Sequence, residues 1–539
     1  MDRRVRPDLE VRPLVISKAR GGGVPESGSM PVLLPAPPPG WPQKPAGISL
    51  CMIVRDEERF LSEALESVLG VVDEICIVDT GSKDKTLEIA RAAGARIAEM
   101  PWENDFSKAR NASLELATRR WIFVLDADER LAPKSRETLS ALGSQPAHLT
   151  GLWVRCYNFA HDYKGTGAMS NALVRVFPNH ERIRYRNRIH EIVALDGSTN
   201  GVPALRSDVA IIHLGYTSDV LQQRSKGERN LAMAEAVLRD EPDVPFNWYN
   251  YATSAMLLQR NDVAIGALEK MRELNEKQLK ERGDGKVQAF VPNGINLLAG
   301  LYLSKGDAAR AEELAREILT FAPTLPDAHY QLGKALAAQR RFRESRDAFA
   351  AAIENGKDAG RHPLIDNEVP LWKAHSEIGA TLMEEGGYEL ALAWFDFALK
   401  ARPQVQPVRL NRAKALEALQ RFDEARDAFA AVWKDDRDNL AANEYVNYLL
   451  RRSDNAAALA FIEEAAPQLP AESRLILYGS AAAITSRGGL PGTDRYLELA
   501  KAVEGVPDAP AQLEALLLHL AAAGALERLT AQAERKEAP

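Results

Sequence analysis

The feature that most constrains this chain is a repeat. In its second half, AHYQLGKALAAQRRFRESRDAFAAAIE, AHSEIGATLMEEGGYELALAWFDFALKARP and VRLNRAKALEALQRFDEARDAFAAVW superpose, with Gly333, Gly379 and Ala413 at one equivalent small position. Gly379 and Ala413 are 34 residues apart, Ala299 precedes Gly333 by the same interval, and Asn447 follows Ala413 by it. The Gly333 to Gly379 gap is longer, by the polar insertion NGKDAGRHPLIDNE. A unit this short cannot bury its own apolar face, so it must stack on its neighbours, and a solenoid follows.

The period and the helix–turn–helix pattern resemble the tetratricopeptide repeat. The small residues let paired helices approach closely, and Phe342, Phe349, Tyr388 and Phe422 are predicted to fill the space between repeats. The resemblance runs over residues 246–469, with a weaker first copy near Trp248. Residues 470–539 read as a C-terminal helical cap.

The first half obeys a different rule. ISLCMIV, EICIVD, ARIAEM and WIFVL are apolar runs, separated by amphipathic stretches such as Phe60, Leu61, Ala64, Leu65, Val68 and Leu69 at helical spacing. That alternation predicts an α/β domain with a parallel sheet, over residues 47–242, whose all-apolar fourth strand (Trp121 to Leu125) is central. After Pro133, the segments GLWVRCYNFA, ALVRVF and DVAIIHLGY predict a mixed or antiparallel extension, which would shape the acceptor side. A helix from about Asp219 to Leu238 leads to Pro242 and Pro245, where the boundary is placed. Ahead of the domain, residues 1–46 form a Gly- and Pro-rich leader unsuited to helix or strand ladders.

At 539 residues the chain exceeds one core, and a net charge of −7 argues against a nucleic-acid-coating role. Three cysteines, with Cys51 and Cys76 inside buried strands, predict unpaired thiols and a cytoplasmic, reducing setting. No run approaches the roughly 20 apolar residues of a membrane span, and the N-terminus lacks an apolar signal core.

Chemistry collects at strand ends. In Leu125-Asp126-Ala127-Asp128-Glu129, residues two apart in extended chain point the same way, so Asp126 and Asp128 can face one cleft. Two hard carboxylates there suit Mg²⁺ or Mn²⁺ bridging a diphosphate, although an isolated D-x-D is more often solvated loop. Asp79-Thr80-Gly81-Ser82 ends the second strand, either as acceptor for a base or ribose or as a turn and helix cap. Lys108 and Arg110 could reach anionic groups or decorate an exposed helix face. Lys226 and Arg229, three apart on a predicted helix, carry the same ambiguity towards a leaving diphosphate. His213 is either a metal ligand or a structural strand histidine.

Together, ISLCMIVRDEE, IVDTGSKDKT, FSKARN and FVLDADE resemble family 2 glycosyltransferases of the GT-A fold. The repeats make the similarity closest to the bacterial branch that includes peptide S-glycosyltransferases. This resemblance implies a metal-dependent, inverting transfer from a UDP-sugar to a protein, peptide or glycan acceptor, with the repeats holding acceptor or partner. It implies that Asp79, Thr80 and Gly81 meet the uracil or ribose, Arg110 the nucleotide region, Asp126 the ribose or metal shell, and Asp128 the metal. Thr80 stands where many members are acidic. Arg188-Ile189-His190-Glu191 matches the branch as well, and an inverting site needs one acceptor-side base. Glu191 is the candidate, with His190, Asp162 and Asp196 as alternatives. Two other functions fit the same frame. A sugar-nucleotide pyrophosphorylase would need a Gly- and Arg-rich loop where Arg55-Asp56-Glu57-Glu58 stands, and a repeat-based interaction protein would leave the intact aspartates idle.

Overall fold

A computed structural model describes residues 34, 36–37, 41–158, 169–198, 201–214, 220–283, 285–288, 290–357, 364–488, 490–506 and 508–518. The leader lies mostly outside them, as do Asp162, Gly215 and Tyr216. The described residues fall into two compact units, one ending at Leu371 and the other beginning at Trp372.

The first unit opens on β1 (Ile48–Val54), α1 (Leu61–Val68), β2 (Glu74–Asp79), α2 (Thr86–Ala92), β3 (Arg96–Glu99), α3 (Phe106–Glu115) and β4 (Trp121–Val124). These four strands are mutually parallel in the order β3-β2-β1-β4, as the apolar runs predict. Next come β5 (Glu129–Leu131) and α4 (Arg136–Gly143), neither of which was foreseen. Then come β6 (Gly151–Asn158), β7 (Met169–Pro178), β8 (Ile183–Arg186), β9 (Ile192–Leu195) and β10 (Ala204–His213). The sheet continues β4-β7-β6-β10-β5, with β7 antiparallel to both β4 and β6, so β4 is indeed central and the extension is mixed.

Side chains alternate between two apolar layers. One layer joins Leu50, Met52, Ile77, Trp121 and Phe123 to Leu61, Leu65 and Val68 of α1 and to Leu139 and Leu142 of α4. The other joins Cys51, Cys76, Ile122 and Val124 to Leu114 at the end of α3 and to Ile183, Tyr185 and Val193 of the β8–β9 hairpin. All three cysteines are buried free thiols.

Helices α5 (Val220–Asp240), α6 (Pro245–Leu257), α7 (Asn261–Arg282), α8 (Val291–Ser304), α9 (Ala308–Phe321), α10 (Pro326–Ala338) and α11 (Phe342–Glu354) follow in the same unit. The insertion between repeats then supplies one more strand, β11 (Leu364–Asp366), antiparallel to the start of β7. Its Ile365 joins the helical core with Ala328 and Ala335. The backbone of Asp366 donates to Asp327 Oδ1 on α10 at 3.0 Å. The insertion therefore ties the helices of this unit to its sheet, which explains why the compact unit extends past the change of element type near Pro242.

The second unit holds α12 (Ala374–Glu384), α13 (Tyr388–Ala401), α14 (Gln406–Ala418), α15 (Phe422–Asp436), α16 (Asn439–Arg451), α17 (Asn455–Ala465), α18 (Ala471–Gly488) and α19 (Thr493–Lys501). The small repeat position works as predicted: a Cβ on Gly333 would lie 2.5 Å from the Phe349 ring, and one on Gly379 2.7 Å from Phe395. No helix among the described residues is long and apolar enough to cross a membrane.

Candidate active site

The carboxyl ends of β1, β2 and β4 share one edge of the sheet, where open α/β sheets place their ligands. At β2, Asp79 is 2% exposed and its Oδ2 accepts from the backbone N–H of Gly81 at 2.9 Å and of Ser82 at 3.0 Å. Its other oxygen accepts from the Ser82 hydroxyl. Gly81, at φ 108°, has a conformation few other residues adopt, and that turns the chain back under the carboxylate. Thr80 donates its hydroxyl to the Val54 carbonyl at 3.2 Å, which joins the ends of β1 and β2.

At β4 the arrangement is built from distant parts. Helix α3 begins on an Asp105 cap and buries Ser107, Arg110 and Leu114 at helical spacing, so Arg110 points inward while Lys108 faces solvent and pairs with Glu103 at 2.5 Å. Arg110 donates from Nη2 to Asp126 Oδ1 at 2.8 Å and from Nε to Glu191 Oε1 at 2.5 Å. Its guanidinium carbon lies 5.5 Å from the centre of the Tyr185 ring. The other Asp126 oxygen is held by Arg175 Nη2 at 2.9 Å, and the same nitrogen reaches Glu129 Oε1 at 2.9 Å. Glu129 Oε2 in turn accepts from the Asp126 backbone N–H at 2.8 Å.

Burial alone would raise the Asp126 pKa, but the charges and hydrogen bonds of Arg110 and Arg175 outweigh it and hold the carboxyl well below the usual range. Glu129, 2% exposed, goes the other way: burial pushes it up to about 7, with Arg175 opposing and Asp126 adding to the rise.

Asp128 is not among the partners of this clamp and pairs instead with His213, Oδ2 to Nε2 at 3.3 Å, each side chain 24% exposed. The pairing follows from register: β10 runs antiparallel to β5 with His213 opposite Glu129, and the Leu214 N–H donates to the Asp128 carbonyl at 2.9 Å. Burial would lower the His213 pKa, but the hydrogen bond to Asp128 and its charge reverse that and raise it. Two ligand atoms each ~2.1 Å from one ion and at right angles lie about 3 Å apart, so this pair fits adjacent positions on a Mg²⁺ or Mn²⁺ ion. No cluster of three or more His, Cys, Asp or Glu that could hold a metal ion is present among the described residues.

The neighbours His190 and Glu191 part company. His190, at φ 52°, is exposed, whereas Glu191 is drawn in against Arg110 with 14% of its side chain exposed. Asp196 is an exposed partner of Arg182, 2.7 Å from its Nε. Arg229 lies over the Phe106 ring at 5.8 Å, at the start of α3. Burial lowers its pKa and the charge of Arg55, which follows β1, adds to this. The side chain of Lys226 lies outside the described residues.

Arg175 and Glu129 were not singled out in the sequence. The signal for Arg175 was present, because an arginine inside the apolar run ALVRVF must bury its charge against carboxylates.

Residues 49–165 match the model of glycosyl transferase family 2, and residues 382–452 match a tetratricopeptide repeat model. Over 204 residues the chain is 38% identical to a TPR repeat-containing protein of Synechococcus elongatus, covering 37% of this chain and 49% of the relative. It is 27% identical over 226 residues to the SPbeta prophage-derived glycosyltransferase SunS of Bacillus subtilis, covering 41% of this chain and 52% of that protein. A glycosyltransferase of Rickettsia felis is 32% identical over 92 residues, covering 17% of this chain and 32% of its own. The chain thus spans about half the length of the first of these curated relatives. A tetratricopeptide repeat protein from Parabacteroides merdae is 12% identical with a TM-score of 0.35, covering 51% of this chain and 98% of that one. This chain carries a glycosyl transferase family 2 domain followed by tetratricopeptide repeats.

Proposed function

We propose that the chain is an inverting glycosyltransferase that moves a sugar from a UDP-sugar to a protein, peptide or glycan acceptor, with Mn²⁺ or Mg²⁺ as cofactor. The observation that carries the reading is the division of labour at the end of β4, where Asp126 is clamped by two arginines while Asp128 pairs with His213. When bound, the divalent ion would neutralise the charge growing on the departing diphosphate. Asp128 and His213 would hold it, Asp79 would receive the uracil or ribose, and Arg229 at the mouth would face the phosphates.

In this reading Glu191 is the base. Arg110 fixes its Oε1 and leaves the other oxygen for the acceptor proton. As the acceptor atom bonds to the anomeric carbon, the bond from that carbon to the diphosphate oxygen breaks on the opposite face and UDP leaves. The proposal includes a cytoplasmic location, supported by the three buried thiols, and a role for the repeats in holding the acceptor.

A panel of UDP-sugars assayed for UDP release tests the reading. Release from at least one donor, abolished by chelator and restored by Mn²⁺ or Mg²⁺, is expected. No release from any donor with either metal would leave a repeat-based interaction protein.

A further inference from the structure

The pairing of β7 with β6 skips a residue. Leu152 faces Val176 and the next residue, Trp153, faces Val174, so Arg175 is a bulge left out of the ladder. The apolar layers record the same slip independently. Leu173 and Val176 lie in one layer and Val174 and Phe177 in the other, whereas strict alternation would put Leu173 with Phe177 and Val174 with Val176. A bulge re-aims one side chain at the expense of ladder bonds. Here it brings Arg175 to the end of β4, where β7 pairs Phe123 with Val176 and the next residue along β4 leads to Asp126.

We propose that Arg175 is a positioning residue of the transfer reaction, the bulge aiming its guanidinium so that Asp126 is fixed through the oxygen that Arg110 does not hold, which sets the turn from Asp126 to Asp128 against the donor. This rests on the glycosyltransferase reading above. The ring is closed: Arg175 Nη2 bridges Asp126 and Glu129, and Glu129 returns to the Asp126 backbone. Stability alone does not account for it. A buried charge network is commonly no more stable than apolar side chains of similar volume, and Leu173, Val174, Val176 and Phe177 show that this strand has apolar layers to join. What the arginine adds is direction.

The test uses the full chain with Arg175→Met combined with Glu129→Gln, which removes the bridge without stranding a charge. Melting temperature, UDP affinity with Mn²⁺ by calorimetry, and kcat and KM for UDP release are measured. The double variant is expected to melt near the wild type and to bind UDP within about 3-fold, yet to lose kcat by on the order of 100-fold. Adding Asp126→Asn should cost little more, because Asp126, kept by Arg110 on one oxygen only, has already lost its orientation. Arg175→Lys, which keeps charge and most of the volume, should fold and fall in between, and it stands in should the double variant not fold.

Near-normal kcat in a folded variant, or losses that multiply with Asp126→Asn, would overturn the proposal while leaving the glycosyltransferase reading intact. A wild type that neither binds UDP with Mn²⁺ nor releases it would instead remove that reading, and this role for Arg175 with it.

Discussion

Two acidic strand ends stand at the same edge of the sheet, and they are held in opposite ways. Asp79 takes its hydrogen bonds from Gly81 and Ser82, within three residues of itself. Asp126 takes its side-chain bonds from Arg110 and Arg175, which are 16 and 49 residues away, and Arg110 also grips Glu191, a further 81 residues along. The first geometry is a property of a turn. The second exists only when α3, β4, β7 and the segment before β9 are all in place, so it reports on the whole domain.

The largest effect should follow from cutting the long-range side. Arg110→Gln leaves Asp126 and Glu191 without their shared partner, and breaking a buried ion pair costs about 3–5 kcal/mol. Chemical denaturation of the full chain should show that loss; less than about 1 kcal/mol would mean that the clamp is not what orders this end of the sheet.

Asp79→Ala should be milder, because only turn bonds are lost. A cost of about 1–2 kcal/mol and a UDP dissociation constant raised about 10-fold by calorimetry are expected. Combined with Asp126→Asn, the two stability losses should add within about 0.5 kcal/mol, as for sites with no shared partner. Strong coupling would erase the contrast between the two ends. Lys108→Ala should do least, changing stability by no more than about 0.5 kcal/mol and UDP affinity not at all, because its partner Glu103 is itself exposed. A tenfold loss of affinity would bring Lys108 into the donor site.

The same contrast explains what could be read from the sequence. The parallel strands were legible because apolar runs alternate with amphipathic helical stretches, and the repeats because Gly333, Gly379 and Ala413 recur at one small position. The turn at Asp79 was legible as a turn. The Asp126 clamp was not, since a bulge at Arg175 depends on the register of β7 against β6, which is fixed by packing on two faces and not by local sequence. The pairing of Asp128 with His213 was anticipated as a shared metal shell, but the register that brings them together runs through β5, three residues long and hidden in the acidic motif. Likewise β11 lay in an insertion that reads as polar filler.

The measurement that bears most directly on the central claim is calorimetric titration of UDP into the full chain with and without Mn²⁺, repeated with Asp128→Asn. The account predicts binding that strengthens at least 10-fold with Mn²⁺ in the wild type and loses that gain in the variant, because an amide cannot supply the charge that holds the ion against the diphosphate. UDP binding that is equal with and without the metal, or a metal gain that survives Asp128→Asn, would contradict it.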